Sequence, residues 1–192
     1  MNQNHKGCGW IYIMPVLYLL SVYLFPVIFL VKSCTATGQA DMDSMPSWTL
    51  LLPIVFGIIN LITVLAAGKK VTRIQLLNCA RIVKYGLVPF YIIGGLCIAL
   101  AILLTFTPVV IMIFVGPAIV ITFSVWGWLV LACSAPYSMA YIVRACKERV
   151  HGGALSAFAG IFQFFFCMDV IFLIILACKD RRYRRISQNR KY

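Results

Sequence analysis

Three strongly polar side chains lie deep in apolar sequence. Asp169 sits in GIFQFFFCMDVIFLIIL (160–176), Gln163 precedes it in the same run, and Asn60 lies in a separate one. An ionised carboxylate at the centre of a bilayer costs at least about 2.5–3.5 kcal/mol on insertion scales, so Asp169 must face protein or a cavity. Two chemistries fit it: a proton or cation site, or a hydrogen bond that holds two helices together. Packing is the favoured reading. No second acid or histidine accompanies Asp169 at depth, because Glu148 stands at the edge of an apolar segment and His5 and His151 are terminal or in a loop. A packing role predicts that Asn replaces Asp169 well and Leu does not. A proton-handling role predicts that Asn keeps the fold and loses the activity. Gln163 and Asn60 can each bond across helices for about 1 kcal/mol. On one continuous helix Gln163 would stand about 120° from Asp169, so the two need no common partner.

Other chemistry is not encoded. There is no G-x-S-x-G, no H-E-x-x-H, no carboxylate pair and no phosphate-binding loop. The eight cysteines form no C-x-x-C or other metal spacing, so neither a metal centre nor a disulfide framework is expected. The expectation is a protein that is not an enzyme and takes no cofactor and no metal.

The elements that must hold these residues are membrane spans. Of 192 residues, 62 % are hydrophobic and 11 % charged, with a mean hydropathy of +0.96. A soluble core of this size could not hide that much apolar surface. Apolar stretches at approximately 10–31, 48–67, 85–107, 109–133 and 154–178 are each long enough to cross a ~30 Å hydrocarbon layer as a helix. None alternates as a β-barrel strand would. The expected fold is all-α: one transmembrane helical domain over 1–192, with about five spans. Pro15, Pro26, Pro53 and Pro117 read as kinks within spans, and Pro108 as a tight turn between antiparallel neighbours. The first stretch reads as a span, its apolar core being too long for a cleaved signal. Gly152, Gly153, Ala157 and Gly160 suggest close helix contact early in the last span.

Seventeen Lys and Arg face five Asp and Glu, giving a net charge of +12. The basic residues flank apolar segments and no nucleic-acid recognition signature appears, so the expected partners are the bilayer and anionic phospholipids. In 69–84, Lys69, Lys70, Arg73, Arg81 and Lys84 share an arc of about 120° at 100° per residue, opposite an apolar face. This is either a helix in the interface, with those five cations on lipid headgroups, or an extension of the third span. In 137–150, Arg144 and Glu148 are four apart and could pair at a helix end. A basic tail occupies 179–192. Five spans put Lys6 and the two basic segments on one side and Lys32 and the tail on the other. That count, nine against eight, orients nothing.

Three stretches carry a resemblance: Lys84, Tyr85, Pro89, Phe90, Tyr91 and Ile92 opening one span; Arg144, Ala145, Lys147 and Glu148 closing a helix; and Gln163, Phe164, Asp169 and Val170 in the last span. Over its C-terminal half the chain resembles a family of small uncharacterised polytopic membrane proteins of Gram-positive bacteria with no assigned activity. The resemblance implies a multi-pass protein of the bacterial plasma membrane. Two function classes follow. One is a non-enzymatic accessory, immunity or stress-resistance protein that acts by binding in the membrane, to another membrane protein or as a homodimer. The other is a small transporter or channel with Asp169 in its pathway.

Overall fold

The computed structural model describes residues 9–35, 48–67, 71–107, 110–148, 150, 153–163 and 165–189. After a 3-10 turn at Gly9–Tyr12 come α1 (Ile13–Thr35), α2 (Trp48–Ala67), α3 (Arg73–Thr105), α4 (Val110–Ser134), α5 (Pro136–Lys147), α6 (Gly153–Phe162) and α7 (Phe166–Asn189). The described residues form an all-α bundle without strands.

Four of these helices, α1 to α4, are long and apolar enough to cross a bilayer. The fifth apolar stretch is divided. Its first ten residues form α6, the helix stops around Gln163, and α7 starts at Phe166. The expectation of one continuous helix over 154–178 is therefore corrected. Apolar length alone is satisfied equally by one span or by two shorter helices that face each other. Phe162 at the end of α6 stacks on Phe172 of α7, with centroids 5.1 Å apart and planes at 8°.

Of the two readings of 69–84, an interfacial helix or an extension of the third span, α3 shows the extension. The helix begins at Arg73 and not near residue 85, because Thr72-Arg73-Ile74-Gln75 is a capping box. The Thr72 hydroxyl accepts from the Gln75 amide at 3.3 Å, and the Gln75 side chain accepts from the Thr72 amide at 2.9 Å. The 33-residue helix is about 50 Å long. The basic segment is thus the first three turns of α3. Lys69 and Lys70 lie outside the described residues.

The core gathers on that first half of α3, where Leu76, Leu77, Cys79, Ala80, Val83, Lys84 and Leu87 are all buried. α2 presents Thr49, Pro53, Gly57, Asn60 and Val64 as one buried stripe at helical spacing. The second half of α3 and the first half of α4 expose many large apolar residues, Leu96, Leu103, Phe114 and Ile121 among them. Such a surface is compatible with lipid and far larger in extent than soluble monomers leave open.

The close helix contacts are not at the start of α6. Gly153 faces open space, and a Cβ on Gly160 would meet Met139 only at 3.9 Å. Gly57 is where two helices touch: a Cβ there would lie 2.5 Å from Cys133 Cβ and 3.4 Å from its Cα. Gly57→Val should therefore destabilise the chain by about 1–3 kcal/mol, while Gly153→Ala should be neutral or slightly stabilising. Thermal unfolding of the two variants in detergent measures the difference.

Candidate functional site

α7 runs antiparallel to the first half of α3, and two ion pairs join them. The Lys84 ammonium contacts Asp169 Oδ2, and both side chains are almost wholly enclosed. The Arg73 Nε lies 3.0 Å from Asp180 Oδ1, with the Asp180 side chain fully buried. Eleven residues separate Arg73 from Lys84, and eleven separate Asp169 from Asp180. Eleven residues are about three helical turns and 16 Å, so each helix presents both charges on one face at one spacing. An arrangement of two cations on one helix and two acids on its neighbour fixes both direction and register.

The inner pair is part of a small polar cluster. Lys84 also donates to Ser134 Oγ at 2.9 Å, and that hydroxyl donates to the Leu131 carbonyl at 2.6 Å. The Tyr91 hydroxyl stands beside Ser134 and within electrostatic range of Asp169. Asp169 lies in the first turn of α7, where the positive end of the helix dipole favours a carboxylate. It is at the head of the 24-residue α7 and not in the middle of one continuous span.

The outer pair is the centre of a wider network. Arg73 Nη1 donates to Glu148 Oε2 at 2.5 Å, and its guanidinium lies 5.7 Å from the centre of the Tyr183 ring. Arg144 Nε is 3.6 Å from Glu148 Oε1, and Arg144 Nη1 donates to the Val71 carbonyl. Arg73 thereby joins the start of α3, the end of α5 and the middle of α7. Arg73→Gln should cost about 2 kcal/mol, below the 3–5 kcal/mol of a fully enclosed pair because the Glu148 side is solvated. Trypsin should then cut faster after Arg181 and Arg182, while Arg144→Gln, at a pair largely open to solvent, should leave the cleavage rate near wild type.

These contacts revise the lipid-facing assignments. Lys84 and Arg73 are engaged by carboxylates inside the protein and do not reach headgroups. Only Arg81 of the three described cations is left on the outer side of α3 without an ion pair among the described residues. The arc of about 120° was sound as geometry, but α7 covers part of it. Asn60 is buried and accepts from the Tyr137 hydroxyl at 2.9 Å, which joins α2 to α5. Gln163 is buried at the break between α6 and α7, and its Oε1 has no hydrogen-bond partner among the described residues. The sequence reading overlooked Asp180. The matching eleven-residue intervals in the two charged segments were the available signal.

Among the described residues no group of His, Cys, Asp and Glu is arranged to hold a metal ion. Family comparison supplies a name for the kind of chain. Residues 12–182 match the model of the family of unknown function DUF6652. The chain belongs to that family. The match takes in α1 and α2 as well as the C-terminal half. No curated protein and no solved structure matches the chain.

Proposed function

We propose that this DUF6652 chain is a four-pass protein of the plasma membrane that acts by binding and not by catalysis. The observation that carries the topology is the divided fifth segment. α6 has ten residues and is about 15 Å long, half of a ~30 Å hydrocarbon layer. α6 and α7 then form a re-entrant hairpin that goes in and returns to the same face. Its exposed Phe158, Ile161, Phe165, Met168 and Ile171 are turned to lipid. The end of α6 at Gln163 is tolerable at depth because Gln163 is enclosed by protein. Four crossings leave Lys32 alone on the outer face and the other sixteen Lys and Arg on the inner one. The positive-inside rule favours that segregation over nine against eight.

A binding role, as an accessory subunit or an immunity or stress-resistance factor, is supported by the way the deep polar groups are used. Asp169 is held by Lys84, and Asn60 by Tyr137, so both serve helix packing. One feature favours the second reading, a transporter or channel: the helix break with Asp169 in the first turn after it resembles the half-helix sites of transporters. Proton flux into proteoliposomes separates the readings. The binding role predicts no flux above empty vesicles. A flux that Asp169→Asn abolishes, in a variant that still folds, would replace it with the transport reading.

A further inference from the structure

α5 and α6 line an open groove of about 440 Å³. Its walls are apolar: Ile142 and Val143 from α5, Gly153 and Ala157 from α6. Two polar groups complete it. Ser156 Oγ is buried and has no hydrogen-bond partner among the described residues. Lys147, the exposed last residue of α5, also lines the groove. Gly153 borders open space, where a Cβ would meet nothing within 4 Å.

We propose that this groove holds one acyl chain of an anionic phospholipid, with the phosphate on Lys147. The volume is in the range of small-molecule sites. A protein helix about 10 Å across would fill it with a single turn, too little for a docking surface. The apolar walls fit a hydrocarbon chain, the cation fits a phosphate, and the Ser156 hydroxyl offers a donor to an ester carbonyl. This site is distinct from the five cations of 69–84 and Arg73 above all, which is engaged by Asp180 and Glu148. The proposal rests on the membrane reading above, which thiol labelling of the intact cell tests independently.

The test uses the full chain purified in detergent, with retained lipid counted by native mass spectrometry. The probes are dioleoylphosphatidylglycerol and dioleoylphosphatidylcholine. The expected result is preferential retention of phosphatidylglycerol. Lys147→Gln should weaken it about fivefold, the contribution of one basic side chain near anionic lipid, and weaken phosphatidylcholine less, because choline offsets the charge of its phosphate. Ala157→Phe, which fills the groove, should remove both lipids without lowering the melting temperature. Should that variant unfold, Val143→Phe fills the groove from the other wall, at a position 54 % exposed. Equal retention of the two lipids by wild type, or undiminished phosphatidylglycerol in the filled variant, overturns the proposal. So does competition by inorganic phosphate as effective as by the lipid, since the anion alone would then be recognised.

Discussion

Asp169→Leu should lower the melting temperature in detergent by on the order of 10 °C. The cause is the partner it leaves behind. Lys84 is wholly buried and its ammonium lies between Asp169 and Ser134. Without the carboxylate, a charge is enclosed with one hydroxyl, and breaking such a pair costs about 3–5 kcal/mol. Lys84→Met should cost a similar amount by stranding Asp169. The double variant should recover most of the loss, because two apolar side chains of similar volume need no compensation. Asp169→Asn should fall between wild type and Leu. This differs from the expectation for a neutral helix–helix bond, where Asn would substitute freely, because an amide can accept from the ammonium but cannot neutralise it. Differential scanning of the four variants in one detergent decides the matter. Additive losses in the double variant would show that the two side chains stabilise the fold through other neighbours.

A cysteine placed after Lys191 in a cysteine-free chain should stay unlabelled by an impermeant maleimide in intact cells. A cysteine at Asp43, in the segment between α1 and α2, should react. Both should react once the membrane is opened. The contrast is all-or-none because it depends on the parity of crossings. Four crossings return the chain to its first side, and five do not. Labelling of the tail in intact cells would mean that 154–178 crosses after all, and the four-pass reading would be lost with it.

Much of the architecture was legible in the residues. Apolar runs of span length dictate helices, because a backbone inside hydrocarbon must satisfy its own hydrogen bonds. The approximate limits of α1, α2 and α4 follow from the same rule, while the turn expected at Pro108 lies outside the described residues. Asp169, Gln163 and Asn60 stood out as the polar groups at depth, and all three are buried. What composition could not show was which neighbour each would meet. Hydropathy does not distinguish one long helix from α6 and α7, since both bury or expose the same side chains. The helical arc in 69–84 grouped Arg73 with Lys84 correctly, but only the packing of α7 turned that face from lipid to protein.

The sequence by itself determined that this is an all-α chain with apolar helices of membrane length, +12 in charge and free of the motifs of known catalysis. Those properties are sums over residues, or patterns of short period, and need no neighbour to define them. The tertiary structure alone decided that the last apolar segment breaks and that α7 returns along α3. It also decided that the one acid at depth has a cation beside it. The return of α7 along α3 and the pairing of that acid depend on contacts between residues 85 or more positions apart, as Lys84 and Asp169 are. Pairing at that separation is fixed by how helices pack, which no local pattern records.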